Sequence, residues 1–199
     1  VEMIRAFEAV APAHTPFTRL LPNTPVGVEQ ILDEFTPPFV AKEIRCAMGV
    51  GVFLIERPAD FFDYAKRNEI LFAQEYLPID RDLRIVIVGK QAAAAYWRKA
   101  RAGCFHNNVA RGADVDFRNV PLQAVRLAKK IAAELGIDHA GFDVAQVDGH
   151  SFLLEFNPRF GTRALSQRGV CIGKLVFAHL LSASHRPWKP DTPRLPKAS

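Results

Sequence analysis

Apolar residues recur along the chain in two periods, one helical and one strand-like, and the changes of period predict its elements. The helical period predicts helices at MIRAFEAV and VGVEQILDEF, joined by the proline-rich connection APAHTPFTRLLPNTP. PPFVAKEI and VFLIE predict two strands around a glycine-containing turn, PADFFDYAKRN predicts a helix, and ILFAQEYL predicts a third strand. This β-β-α-β order predicts a small α+β lobe over residues 24–79.

Longer strands from Asp80 onward predict a second lobe. DLRIVIVG and QAAAAYWRK predict a hairpin about Gly89-Lys90, and an irregular segment follows over residues 103–116. PLQAVRLAKKIAAELG predicts a helix that ends at Gly136 and turns four apolar residues inward: Leu122, Val125, Ile131 and Leu135. The hairpin of AGFDVAQV and SFLLEFN and a helix near CIGKLVFAHLL complete a large lobe over residues 80–183, and the proline-rich, basic residues 184–199 predict a flexible tail.

Composition sets broad limits on the function. The 199 residues are 49% hydrophobic, which is enough for a packed core, and the net charge of +5 favours acidic or phosphorylated partners. Three cysteines without a paired spacing argue against a disulfide framework or a zinc site. No apolar run approaches the roughly 20 residues that span a bilayer, and the first residues lack a leader pattern. We therefore expect a soluble, cytoplasmic protein without a membrane partner.

The stretch FLLEFNPRFGTR places polar residues on a strand that otherwise predicts burial. Glu155 and Asn157 are two residues apart and therefore share one face. Asp143 lies on the preceding strand, and a plain two-residue loop at Asp148-Gly149 would place it on the opposite face. We predict instead a three-residue loop, residues 148–150, which shifts the register by one and sets Asp143 opposite Glu155.

Two carboxylates and an amide form a hard, oxygen-only donor set that suits Mg²⁺ or Mn²⁺ on phosphate oxygens. The alternative is that the two acids form salt bridges with Arg159 and Arg163. Lys42 interrupts an apolar strand and is a candidate phosphate contact, or a lysine that reaches solvent at a sheet edge. Gly49 and Gly51 would let the backbone approach phosphates, although a hairpin turn explains them equally well.

Four segments, in order, resemble the nucleotide-binding half of the ATP-grasp ligases, and the RimK-type carboxylate–amine (glutamate) ligases in particular. They are FVAKEIRCAMGVGVFLIE, LFAQEYLPIDRDLRIVIVG, YWRKARAGCFHNNVARGA and AGFDVAQVDGHSFLLEFNPRFG. The resemblance covers about residues 24–165 and implies an ATP-grasp fold, in which two α+β lobes with mainly antiparallel sheets clamp ATP. It also implies an ATP-dependent, ADP-forming ligase that makes an acyl phosphate, which an amine then captures. Small-molecule or peptide carboxylates and amines are the implied partners.

The resemblance also implies roles for individual residues. The residues that would contact ATP are Lys42, Gly49, Gly51, Gln74, Glu75, Tyr76, Leu77 and Asp82. Among them, residues 74–77 match the segment that binds the adenine edge, and Asp82 would lie near the ribose. The residues that would lie near the transferred phosphate or the acceptor are Arg98, Asn108 and Arg111, with Asn107 beside them. Asp143, Glu155 and Asn157 match the magnesium ligands. Arg84 follows Asp82 as in the family, but an exposed strand arginine fits the pattern almost equally well.

The sequence departs from the family at two places. The turn RCAMGVGV lacks the usual acidic and hydroxyl residues, for which Arg45 would compensate, and no second lysine is found upstream. Residues 1–23 are expected to be the remnant of an upstream domain, so the chain is a fragment or a reduced homologue. A nucleotide-binding module that is inactive or needs a partner is therefore the alternative function, and a homo-oligomer is an open expectation. A nucleic-acid-binding protein is not expected, because the basic residues are scattered.

Overall fold

The computed structural model describes residues 2–44, 51–99 and 114–184. Within these ranges the chain forms six α-helices and nine strands in two sheets. The helices are α1 (Glu2–Val10), α2 (Pro25–Glu34), α3 (Pro58–Ala65), α4 (Leu122–Glu134), α5 (Arg163–Ser166) and α6 (Ile172–Ser184). The strands are β1 (Thr18–Pro22), β2 (Phe39–Lys42), β3 (Val52–Ile55), β4 (Ile70–Glu75), β5 (Arg81–Val88), β6 (Gln91–Lys99), β7 (Asp114–Asp116), β8 (His139–Val147) and β9 (His150–Asn157).

The small lobe is a four-stranded antiparallel sheet in the order β1-β4-β2-β3. Helices α2 and α3 pack on one face through Ile31, Phe61 and Tyr64. Both helices begin at a proline. At α2 the Thr24 hydroxyl accepts a hydrogen bond from an amide of the first turn, and at α3 the Asp60 carboxylate accepts one from the amide of the residue before the helix. The other face points toward the large lobe, since Phe72 of β4 belongs to the core of that lobe.

The large lobe is a five-stranded antiparallel sheet in the order β7-β6-β5-β8-β9. One face packs against α1 and α4 through a core that includes Ile85 and Phe142. The opposite face packs near α5 and α6 around Val86 and Tyr96 at one end. The other end of this second face carries charged residues, which form the candidate site below.

Four sequence predictions about elements need correction. Residues 18–22 form strand β1 rather than a connection, because an edge strand tolerates Pro22, which has no N–H to donate. Residues 114–116, predicted as irregular, form β7. The short helix α5 was not predicted, and Leu122 is 69% exposed rather than inward, because it is the first residue of α4.

The β8–β9 hairpin reaches the predicted pairing by a different route. Asp143 lies opposite Glu155, as predicted. The predicted three-residue loop is wrong, because Val147 pairs with His150 around the two-residue turn Asp148-Gly149, with φ angles of 50° and 80°. Asp-Gly favours this tight turn, and the register instead shifts between Asp143 and Val144, where β9 contains one extra residue.

Within the described parts of the chain, no helix is long and apolar enough to cross a membrane.

Candidate active site

Asp143 and Glu155 face each other across β8 and β9 and form the centre of the candidate site. The two carboxyl groups are placed so that Glu155, when protonated, can donate a hydrogen bond to Asp143. Asp143 is only 3% exposed, whereas Glu155 is an exposed residue whose carboxyl group loses part of its hydration to neighbouring side chains. The site therefore has one buried acid, held by the protein, and one acid that a ligand can reach.

Two buried arginines hold Asp143 from the neighbouring strands. Arg84 of β5 donates from Nε and Nη2 to the two oxygens of Asp143, the second bond measuring 2.9 Å. Arg98 of β6 donates from Nε and Nη2 to Asp82 at 2.7 and 2.8 Å, and its Nη2 lies 2.9 Å from Asp143 Oδ2. Arg98 thereby joins both aspartates, and the four side chains form one buried ion network.

The network separates the proton affinities of the two facing acids. Burial by itself would raise the pKa of Asp143, but the guanidinium groups of Arg98 and Arg84 outweigh it and lower that pKa. The pKa of Glu155 is raised to about 7, first by loss of hydration and then by the Asp143 carboxylate, although Lys42 opposes the rise. Asp143 is therefore firmly ionised, and Glu155 gains a proton readily until a cation approaches.

Lys42 approaches the same region from the small lobe. Its Nζ donates a 2.7 Å hydrogen bond to Gln74 Oε1 and lies 5.6 Å from the centroid of the Phe72 ring. Burial lowers the pKa of Lys42 to about 8, and Glu155 is the charge that opposes this shift. The alternative in which Lys42 extends along a sheet edge into solvent does not describe this side chain, which is directed to a buried amide.

The segment that the resemblance assigns to adenine lies at the end of β4. Gln74 is buried and donates to Thr18 Oγ1 at 2.9 Å, so its side chain joins Lys42 to β1. Glu75 forms two hydrogen bonds with the Phe17 backbone, accepting through its carboxylate at 2.8 Å and donating its amide at 2.9 Å. Tyr76 and Leu77 are partly buried just beyond the strand. Adenine binding here stays a prediction.

Asn157 completes the polar face at the exposed end of β9. Its backbone pairs with Gly141, and its Oδ1 accepts a 2.8 Å hydrogen bond from the Arg159 amide. The alternative predicts salt bridges from the acids to Arg159 and Arg163. Asp143 instead pairs with Arg84 and with an arginine of β6.

Two predicted site residues have contacts within the protein that differ from their assigned roles, and five others lie outside the described ranges. Asp82 is bound through both oxygens to Arg98, so its assignment to ribose remains a prediction. Gly51 has a φ of 78°, which favours glycine, and its carbonyl oxygen accepts from the Glu43 amide at 2.7 Å. The predicted residues outside the described ranges are Arg45, Gly49, Asn107, Asn108 and Arg111.

Arg84 is the main site residue whose part sequence reasoning did not establish. The sequence leaves open whether Arg84 is a family position or an exposed strand residue, and the structure buries it to 8% exposure. A signal was available, because Arg84 interrupts the apolar strand DLRIVIV in the way that Lys42 interrupts its own strand.

The donor set suits a hard divalent cation. Carboxylate oxygens of Asp143 and Glu155 and the amide oxygen of Asn157 occupy one face of adjacent strands. Asn157 Oδ1 retains a second lone pair beside its bond to Arg159. Among the described residues no three His, Cys, Asp or Glu side chains gather into a metal cluster.

A family model and several curated proteins match the sequence of this chain. A family model described as the RimK-like ATP-grasp domain matches residues 8–178. The ribosomal protein bS6–L-glutamate ligase of Escherichia fergusonii is 30% identical over 147 residues, which are 70% of this chain and 49% of the relative. A probable alpha-L-glutamate ligase of Enterobacter sp. (strain 638) is 31% identical over 147 residues, with the same coverage of 70% and 49%. The chain thus spans about half the length of the curated relatives that it matches.

Solved structures share the fold at lower identity. The RimK domain ATP-grasp protein of Sphaerobacter thermophilus superposes with a TM-score of 0.70 and 18% identity, covering 88% of this chain and 64% of that one. The D-alanine–D-alanine ligase of Bacillus anthracis gives a TM-score of 0.65 and 13% identity, with coverage of 91% and 64%. These likenesses confirm the predicted α+β ATP-grasp fold, and together with the family match they show that this chain belongs to the RimK-like ATP-grasp family.

Proposed function

We propose that this protein is an ATP-dependent carboxylate–amine ligase of RimK type. The observation that carries the proposal is the facing pair Asp143 and Glu155, flanked by buried cations on one side and approached by Lys42 from the other lobe. The family match supports an ATP-binding role for the two lobes. The relatives' names support glutamate as the amine and a protein or peptide carboxylate as the acceptor.

The charges of the site support a role for a metal ion. Asp82, Asp143 and Glu155 carry negative charge when ionised, and the cations Lys42, Arg84 and Arg98 balance them one for one. Polyphosphate would add several negative charges to this balanced site, so it would need further cations. Glu155, Asp143 and Asn157 would hold Mg²⁺ or Mn²⁺, which would supply neutralisation of charge on the β- and γ-phosphate oxygens.

The side chains of this chain would then bind and orient rather than react. Lys42 would exchange its hydrogen bond to Gln74 for a phosphate oxygen, a short change for a flexible ammonium group. Arg98 and Arg84 would keep Asp143 ionised and fixed, and contact of Arg98 with the transferred phosphate remains our prediction. Preorganised charges of this kind need no covalent enzyme intermediate.

The proposed reaction has two balanced steps. A substrate carboxylate oxygen forms a bond to the γ-phosphorus while the bond from that phosphorus to the β-bridging oxygen breaks, which gives an acyl phosphate and ADP. The amine nitrogen then bonds to the acyl carbon, phosphate leaves with the electron pair, and the amine loses a proton to solvent. The small lobe would exclude water, which otherwise hydrolyses the acyl phosphate.

A phosphate-release screen tests the proposal. Carboxylate and amine pairs, with glutamate among the amines, are supplied with ATP and Mg²⁺, and product formation is followed by mass spectrometry. Glu155→Gln should reduce turnover on the order of 100-fold or more while the thermal midpoint stays close to that of the original protein. Glu134→Gln, an exposed acid on α4, is the matched control and should retain activity.

Two outcomes would contradict the proposal. Equal turnover in Glu155→Gln would remove the metal assignment. Tight ATP binding without phosphate release for any pair of substrates would instead indicate a nucleotide-binding module.

A further inference from the structure

Gly141 leaves a space on β8 that the side chain of Arg84 occupies. A Cβ atom added at Gly141 would lie 2.9 Å from Arg84 Nη1 and 3.0 Å from Arg84 Cδ. Phe160 would also be close, with its Cγ at 3.2 Å. Carbon atoms in contact normally lie about 3.5–4.0 Å apart, so any side chain at position 141 would displace the guanidinium.

The displaced group would be the one that orients Asp143. Arg84 pairs with Asp143 across β5 and β8 and donates two hydrogen bonds to its carboxylate in a forked geometry. Such a fork fixes the plane of a carboxylate as well as its position, which a lysine ammonium does not. Gly141 lies on the same face of β8 as Asp143, two residues earlier, so the Arg84 side chain packs directly against its backbone.

The geometry points to Arg84 as a positioning residue. Its side chain packs against Gly141 and fixes the plane of the Asp143 carboxylate, which faces Glu155. This inference rests on the proposed function, because its effect is read at the divalent cation that the two acids would share. Residues that orient metal ligands affect metal affinity about 10–100-fold when they are removed.

Metal-dependent nucleotide binding tests the inference on the full chain. The probe is Mn²⁺ with a non-hydrolysable ATP analogue, followed by electron paramagnetic resonance of the free Mn²⁺ and by calorimetry without metal. Arg84→Met should weaken Mn²⁺ binding about tenfold or more, and Arg84→Lys, which keeps the charge but loses the fork, should recover only part of that loss. Binding of the analogue without metal should change less than about twofold, because the contact proposed for Lys42 is intact.

A second pair of variants separates positioning from general destabilisation. Gly141→Ala should weaken Mn²⁺ binding in the same direction as Arg84→Met. The loss in the double variant should be clearly smaller than the sum of the two single losses, since the methyl group then has no guanidinium to displace. Arg126→Met removes an exposed arginine of α4, and Gly173→Ala adds a methyl group where no atom lies within 4 Å. Both controls should bind Mn²⁺ normally.

The outcomes distinguish the inference from the proposed function. If the original protein shows no metal-dependent binding of the analogue, the proposed function fails and the inference fails with it. If the original protein binds Mn²⁺ and folded Arg84→Lys and Arg84→Met bind it equally well, the inference alone is overturned. If the losses of Mn²⁺ affinity in the Gly141→Ala and Arg84→Met double variant are additive, Gly141 does not act through Arg84, because independent defects add.

Discussion

Replacing Asp143 with asparagine should destabilise the fold far more than the same change at Glu155. Asp143 is 3% exposed and is the shared counter-charge of two buried arginines. An amide in its place loses the negative charge and turns N–H donors toward guanidinium donors. Removal of one partner from a buried ion pair costs about 3–5 kcal/mol. We expect about 3 kcal/mol, the lower end of that range, because Arg98 keeps its two hydrogen bonds to Asp82.

The assay is urea unfolding followed by circular dichroism, with thermal unfolding beside it. A loss of about 3 kcal/mol should lower the melting temperature by roughly 6–12 °C in a chain of this size. Glu155→Gln is the matched variant, and the exposure of its side chain predicts a change within about 1 kcal/mol.

The pH dependence gives a second readout of the same pair. The pKa of Asp143 is lower in the folded protein than in the unfolded chain, so its stabilising effect is present above the unfolded value, about 3.9. That effect is lost as the pH falls toward the folded pKa, and the difference between the original protein and Asp143→Asn should shrink in acid. Equal destabilisation by Asp143→Asn and Glu155→Gln at neutral pH would refute the reasoning.

Three further changes should have distinct effects. ATP affinity should fall as the pH rises through about 8, because the pKa of Lys42 is lowered to that value and its ammonium group deprotonates there. In Lys42→Arg the affinity should not change over this pH range. An equal fall in that variant would exclude Lys42 as the cause. Gly89→Ala should reduce the free energy of unfolding more than Gly136→Ala. Both glycines have a positive φ, but only a Cβ atom at position 89 would meet another residue, 2.5 Å from His179 Nδ1. Equal losses of stability in urea unfolding would contradict this. Tyr64→Phe should lower the free energy of unfolding by about 1–3 kcal/mol in the same assay. The Tyr64 hydroxyl donates to the Lys42 carbonyl at 2.7 Å and accepts from a β4 amide at 3.1 Å, and both groups would lose this partner. An unchanged urea midpoint would show that these groups find other partners.

The sequence by itself determined most of the elements and the positions of several candidate site residues within them. Helical and alternating periods predicted most helices and strands, and the alternation along β9 placed Glu155 and Asn157 on one face. These features are local, because a side chain's face depends only on its position within its own element. The motifs that resemble the RimK-type ligases likewise follow chain order, which explains why the family could be recognised before the fold was known.

Tertiary structure alone decided which groups meet. The pairing of Asp143 with Glu155 depends on one extra residue in β9 rather than on the turn, and a bulge leaves little trace in a hydrophobic pattern. The partners of Asp143 come from β5 and β6, distant in sequence, so no local spacing indicates them. Strand β1 was hidden for the same reason: its flanking prolines describe a loop until β4 supplies hydrogen-bond partners along its length. Contacts between elements depend on register and packing, which only the folded chain specifies.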